Sequence, residues 1–370
     1  MLLTAKGRVL SILETDDHIQ ELLVQVEGRS APEQAINFLQ FNRRLSVGDP
    51  VTLNITAVSL GLGTGGLHFV IPDFQNNTAV EDGHIMKLRY TPWQFSVLAA
   101  EEAAAPFHDH LTEADSLEGA PVVAASLHSM LPGIILGFRS RLNYPPKVAY
   151  VMTDAAALPI AFSKLVRELK AKKLLDLTIT TGHAFGGDLE TVSLPAALLT
   201  ARRALEPDLI IVALGPGIVG TGTKMGFSGI ELSWVLDLTA RLGGIPIAAP
   251  RISFADPRER HRGISHHTLT ILDLANNPAL VGLSPEMPRD ILQSIKSLLD
   301  KRRLLTKHHW YLVNDAPDTL SLFREAGIRV TTMGRGLEDD PWFFRHTVIA
   351  GILAGLARTK CLDSISKLKE

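Results

Sequence analysis

Arg258, Arg260, Arg262, His261, His266 and His267 all fall within ten positions of the stretch RERHRGISHHTLT, residues 258–270. A guanidinium presents a rigid fork to carboxylate or phosphate, and imidazole changes charge near neutral pH. The combination suits an anionic ligand and a proton-transfer step, with one of His261, His266 and His267 as general acid or base. If the segment is extended, the adjacent His266 and His267 point to opposite sides and only one can face a given ligand. A plainer reading is a solvated loop in which Asp256 and Glu259 pair with Arg258 and Arg260.

Other stretches carry related chemistry. In GPGIVGTGTK, residues 215–224, the glycines let backbone N–H groups form an anion nest, so Gly215, Gly217, Gly220, Gly222 and Thr223 are candidate anion-binding residues. Gly215, Gly217 and Gly220 match the dinucleotide G-x-G-x-x-G spacing, but Arg251 stands where the next strand should end in an acid. The phosphate-loop pattern fails because Thr223 precedes Lys224. GLGTGG, residues 61–66, satisfies the same glycine expression in a region of different character, which shows how little that expression discriminates.

GHAFGGDLE places His183, Asp188 and Glu190 in one loop, a candidate set for a divalent metal. Asp188 and Asp154 are also candidate catalytic carboxylates that could orient a histidine, and either would serve equally as a helix N-cap. In GRGLEDDP, Arg335 precedes acids that suit the start of a helix, and it is free to meet an anion or Asp256. Arg251, Arg260, Arg262 and Arg335 complete the expected anion-binding set.

These residues need a scaffold, and the hydrophobic pattern supplies one. GRVLSIL, IQELLVQV, QAINFLQF and VTLNITAV, separated by polar turns, predict a small all-β barrel-like domain over 1–82. An irregular connecting region follows over 83–118. From 119 to 370 apolar runs alternate with amphipathic segments: PVVAASL, KVAYVMTD, LLDLTITTG, DLIIVALG, IPIAAPRIS, HHWYLVN and IRVTTMG are the expected strands. That alternation predicts an α/β domain with a doubly wound, mostly parallel, Rossmann-like sheet. Ligands of such sheets bind beyond the carboxyl ends of the strands. There the sequence sets His128, Asp154, GHAFGGDLE, GPGIVGTGTK, Arg251, Asn314, Asp315 and GRGLEDD.

Composition bounds the partners. A formal net charge of −2 supplies no chain-wide field for nucleic acid or an anionic membrane. The barrel region carries Glu14, Asp16, Asp17, Glu21, Glu27 and Glu33, which oppose a phosphate-backbone partner. A single cysteine, Cys361, excludes an intramolecular disulfide framework and multi-cysteine metal sites. No signal-peptide pattern and no apolar run of about 18 residues is seen, so a cytoplasmic protein with no membrane partner is expected.

MTDAAALPIAFSKL, GHAFGGDLETVS, GPGIVGTGTKMGFSG, RHRGISHHTLT and TMGRGLEDDP, with GLGTGG and LRYTPWQ, resemble a bacterial family, domain of unknown function 3866. The resemblance extends over nearly the whole chain. It implies a bacterial soluble protein and assigns no role to any residue. The residues themselves point to an enzyme, a hydrolase or group transferase rather than a redox catalyst, acting on a small phosphorylated or carboxylated metabolite. The alternatives are a non-catalytic nucleotide- or metabolite-binding protein, and a homo-oligomer whose assembly uses the Arg/His cluster as a subunit interface.

Overall fold

Alternation of buried apolar and more exposed residues shapes the first strands, as in the second half of Ile19–Val26, where Leu22, Val24 and Val26 are buried. The computed structural model describes residues 2–62, 65–73, 83–314 and 316–368. They divide into two compact units, Met1–Val80 and Glu81–Glu370. In the first, β1 (Thr4–Thr15), β2 (Ile19–Val26), β3 (Glu33–Phe38), β4 (Pro50–Asn54) and β5 (Leu67–Val70) close into a barrel in the order β1-β2-β3-β5-β4. The β3–β5 pair is parallel and the others are antiparallel. Val9, Leu22, Val24 and Leu53 fill its core.

One buried amide knits the barrel: the Gln20 Oε1 accepts from Leu45 N at 2.7 Å and from Asn37 Nδ2 at 3.1 Å. VTLNITAV is a strand only in its first half, since Thr56–Ser59 forms a helical turn. In GLGTGG, Gly63 and Thr64 lie outside the described residues.

In the second unit, β6 (Ile85–Lys87) and β7 (Phe95–Val97) form a small ribbon. The main sheet comprises β8 (Pro121–Ala125), β9 (Val148–Thr153), β10 (Leu177–Thr181), β11 (Leu189–Thr191), β12 (Leu209–Leu214) and β13 (Ile245–Ala249). A two-stranded ribbon of β14 (Ile252–Ser253) and β15 (Gly263–Ile264) follows, then β16 (Leu280–Leu283), β17 (His309–Leu312) and β18 (Ser366–Lys367) complete the sheet. Its order is β11-β10-β9-β12-β8-β13-β16-β17-β18, all parallel except for β18. β12 is inserted between β8 and β9, so the order departs from the 3-2-1-4-5-6 arrangement of dinucleotide-binding sheets.

Both faces are covered, which is why the strands are apolar throughout. Val123 and Ala125 enter one core, Val122 and Ala124 the other. The helices Leu131–Arg139 and Lys164–Ala171, which carry the chain one way along the sheet, pack on the first face. The helices Leu194–Leu205, Leu232–Arg241, His266–Leu274 and Arg289–Lys301, which carry it back, pack on the second. All these crossovers therefore share one hand, as the chirality of parallel connections requires. At β9, β12, β8 and β13 the next helix alternates between faces, so the crevice expected at a change of direction spans the four central strands.

The helix Pro341–Arg358 closes the first face, and every residue from Phe343 to Ala357 is buried. It crosses Leu131–Arg139 at glycines: a Cβ on Gly137 would lie 2.0 Å from Val348 O, and one on Gly351 2.0 Å from Ile134 O. Among the described residues, no helix is long and apolar enough to cross a membrane.

Two strand expectations change. IRVTTMG is not a strand but an irregular run ending in a turn, in which Thr332 and Arg335 exchange backbone hydrogen bonds of 2.8 and 2.9 Å. The edge it would have joined is taken by β18, paired antiparallel with β17. The missing strand is β16, within PALVGL. The connecting region 83–118 packs with the second unit, where Lys87 is fully buried and Ala99 bridges to Glu190.

Candidate functional site

The loop after β13 is held by its own ends. Ser265 N donates to Arg251 O at 2.9 Å, Arg251 N donates to Thr268 Oγ1 at 2.9 Å, and β14 pairs with β15. Ser265 then acts twice: its Oγ caps the helix His266–Leu274 by accepting from His267 N, and it lies 2.7 Å from His261 Nδ1. His266 and His267 are thus the first two residues of a helix rather than of an extended segment, about 100° apart around its axis. Both join His261, with ring centroids 4.9 Å (261–266), 4.9 Å (261–267) and 4.3 Å (266–267) apart. One nitrogen from each ring lies within 4.8 Å of the others.

The glycine-rich loop reaches this cluster. Ala157 N donates to Pro216 O at its start, and Gly220 lies so that a Cβ would be 3.6 Å from His267 Nε2. Phe227, just past the loop, stacks on His267 at 3.9 Å and 6°. Gly217 and Gly222 have φ of 94° and 83°, the left-handed region where a side chain would be strained. Thr223 is exposed, and its Oγ1 is used within the loop, accepting from Gly226 N at 3.0 Å. His267 is therefore the histidine that faces the loop.

Burial pushes all three histidines towards the neutral form. His261 falls to about 3, with Arg251 and Arg258 adding to the effect, and His267 falls to about 3, with His266 next in importance. His266 is lowered by burial and then by Arg260. The helix N-terminus acts in the same direction. As ground-state groups these imidazoles are acceptors and ligands rather than acids.

Behind them lies a buried ion network. Asp256 receives Arg251 Nη2 at 2.8 Å, Arg258 Nη2 at 2.9 Å and Arg335 Nη2 at 3.5 Å. Burial opposes its ionisation, but hydrogen bonds from Arg258 and the charge of Arg251 hold its carboxyl well below the usual range. Arg251 is 3% exposed, and burial brings its guanidinium down to about 10. Arg335 also reaches Asp340 at 3.0 Å, which accepts from Ser253 Oγ at 2.7 Å. Of the four arginines expected at an anion, Arg251 and Arg335 are therefore engaged by carboxylates. Arg260 and Arg262 are exposed beside His261 and form no ion pair among the described residues.

The loop 182–190 has a different role from the one expected. For β11 to lie parallel to β10, the chain must run back along the sheet, and this carries Asp188 to the amino end of β10. There its Oδ2 accepts from Thr178 N and Thr178 Oγ1, each at 2.8 Å, and its other oxygen meets Lys170. Glu190 accepts from Thr180 Oγ1 at 2.7 Å and Gly186 N at 2.6 Å, and lies 3.1 Å from Lys87 Nζ. His183 Nδ1 accepts from Leu88 N at 3.1 Å. His183, Asp188 and Glu190 thus face separate partners, and the histidine trio is the cluster of potential metal ligands that converges among the described residues.

Asp154 does sit on the rim, accepting from His183 N at 2.9 Å. Beside it is a carboxyl that the sequence reading missed. Glu231, in the short helical turn Ser228–Glu231, hydrogen-bonds Thr153 Oγ1, and burial followed by the charge of Asp154 raises it to about 7. In sequence it looked like an ordinary acid near a helix start. Only the fold of the glycine loop brings it to Thr153. His128 is also on the rim, half-buried, with Nε2 2.6 Å from Ser163 Oγ and burial lowering it to about 4. Asp315, expected nearby, lies outside the described residues.

A groove of about 1280 Å³ on the barrel is lined by Lys6, Arg8, Glu27, Arg43 and Asp73 among others. It mixes both charge signs and, among the described residues, is lined by no histidine. No curated protein and no solved structure matches the chain. Residues 34–351 match the family described as a protein of unknown function, DUF3866, and the chain belongs to that family.

Proposed function

We propose that the second unit is an enzyme, a hydrolase or group transferase, acting on a small phosphorylated or carboxylated molecule bound beyond the carboxyl ends of β9, β12, β8 and β13. The Rossmann-like character of the sheet then lies in where it binds its ligand rather than in its strand order. One observation carries the reading: the glycine-rich loop meets the three-histidine cluster at Gly220, and Arg260 and Arg262, flanking His261 in the chain, are exposed and form no ion pair among the described residues. The loop and these two arginines hold the anion, while Arg251 and Arg335 act from behind as a fixed positive field.

Glu231, raised to about 7 beside Asp154, is suited to take a proton from water or an acceptor hydroxyl at neutral pH. Carboxyl pairs in differing environments, here half-buried Glu231 and exposed Asp154, are a recurrent feature of acid–base sites. Asp188 is left out of this assignment because it sits at the other end of the sheet. Cytoplasmic location and bacterial origin remain part of the proposal, as does the absence of a nucleic-acid or membrane partner.

The test is a thermal-shift series with inorganic phosphate, sugar phosphates, nucleotides and carboxylates. A ligand at about ten times its dissociation constant stabilises by about 1.4 kcal/mol, a rise of a few degrees. Arg260→Ala/Arg262→Ala should remove that rise without altering the melting temperature of the free protein. If no anion at millimolar concentration moves the wild type, the reading is wrong. A shift without turnover of any ester would leave the non-catalytic binding alternative in its place.

A further inference from the structure

We propose that His261, His266 and His267, beside the glycine-rich loop, form a binding site for one divalent transition metal ion. The inference goes beyond the anion-site reading and stands without it. The donor set is three imidazoles whose nitrogens already lie within 4.8 Å of one another. Around a tetrahedral zinc ion at about 2.0–2.1 Å, ligand nitrogens lie roughly 3.4 Å apart, so small ring rotations close the set. Three imidazoles suit zinc, cobalt, nickel or copper and offer little to magnesium or calcium, which prefer oxygen.

Three features of the cluster point to a ligand rather than to packing. The Nε2 of His266 and the Nδ1 of His267 are buried and meet no hydrogen-bond partner among the described residues, although His267 is only 7% exposed. Buried polar atoms are rarely left so. Ser265 Oγ, 2.7 Å from His261 Nδ1, occupies the outer position in which metal-bound histidines are usually fixed, and it leaves Nε2 of that ring to coordinate. Phe227 clamps the plane of His267.

The surroundings say what else the ion would carry. Three protein ligands leave a fourth position open, as in catalytic rather than structural sites. Arg251, Arg258 and Arg260 act on the cluster with positive charge, which weakens a bare dication and favours one bearing hydroxide, phosphate or carboxylate. Asp256 and Asp340 offset part of that charge.

The experiment uses the full chain, stripped with chelator and titrated with Zn²⁺ alone and with Co²⁺ alone. The expected result is one ion per chain at micromolar affinity or tighter, and visible cobalt bands of low-coordinate nitrogen ligation. His266→Gln, at a half-buried position, should weaken binding by about 100-fold, and Ser265→Ala by roughly 10-fold, as lost outer partners do. Failure of a variant to fold does not blunt the test, because X-ray absorption of the zinc-loaded wild type must show about three imidazoles. An all-oxygen shell, or no saturable binding by the wild type, overturns the proposal. Repeating the phosphate series with and without zinc separates the two readings. Phosphate binding by a protein that takes no metal refutes the metal site alone, and metal binding without any anion response refutes the anion site alone.

Discussion

Two stretches of the second unit, 182–190 and 251–267, are comparably rich in groups that do chemistry, and they differ in what those groups have left over. In the first, Asp188, Glu190 and His183 each spend their hydrogen bonds on Thr178, Thr180, Gly186 or Leu88. They hold a strand onto the sheet edge and the 83–118 segment onto that strand. In the second, Asp256 is shared by Arg251, Arg258 and Arg335, but among the described residues His266 and His267 each keep a buried nitrogen without a partner, and the exposed Arg260 and Arg262 form no ion pair. Density of polar residues marked both loops equally. Residual bonding capacity separates them, and this follows from the cost of burying an unsatisfied group.

The sharpest way to break the comparison is Asp256→Ala. The substitution removes the carboxylate on which Arg251, Arg258 and Arg335 converge and leaves the almost fully buried Arg251 without its partner. Breaking a buried pair from one side costs about 3–5 kcal/mol, read by urea unfolding at neutral pH. Arg258→Ala, whose side chain is 37% exposed, should cost no more than about 1 kcal/mol. Equal small losses would show that the network does not hold the loop, and the division into a structural layer and a free layer would fail.

Most of this scaffold was legible in sequence because burial on both faces writes uninterrupted apolar runs, such as LIIVAL for β12. β16 was missed for a physical reason. PALVGLSP is short, and Gly282 breaks it where a Cβ would lie 2.6 Å from Ile349 Cγ2 of the covering helix. IRVTTMG was misjudged because its apolar alternation is real, with Ile328 buried and Val330 half-buried, while the strand edge beside it is occupied by the C-terminal β18. At the rim, the identity of the chemistry was readable and its pairing was not. Arg251 meets Asp256 five residues on, Asp188 turns to Thr178, and Glu231 joins Thr153 across the glycine loop.

Glu231 offers a second separation, by pH. Its folded-state value of about 7 lies above the usual 4.5, so the folded protein holds a proton that the unfolded chain releases. The associated stability is present in full below about pH 4.5 and is lost as pH rises through 7. Glu231→Gln keeps the uncharged form at every pH. Between pH 4.5 and 7.5 the wild type should therefore lose on the order of 2–3 kcal/mol relative to the variant in denaturant unfolding. Parallel curves for the two proteins would place Glu231 in solvent contact and remove it from the proton-transfer role.

The smallest effects on stability divide the two loops most directly. Asp188→Ala strands the N–H and hydroxyl of the buried Thr178, and should cost about 1–3 kcal/mol while leaving any phosphate or zinc response unchanged. His266→Leu removes a ring whose buried Nε2 has no partner to lose. In metal-free protein its effect should stay within about 1 kcal/mol of zero, because the nitrogen's desolvation penalty disappears along with its packing. The same variant should abolish the zinc-induced rise in melting temperature. The crossed pattern carries the weight: a stabilising residue with no ligand effect at 188, and a ligand-responsive residue with almost no stability effect at 266. If His266→Leu instead destabilises as much as Asp188→Ala, its imidazole has a structural partner after all, and the distinction between spent and unspent polar groups no longer locates the site.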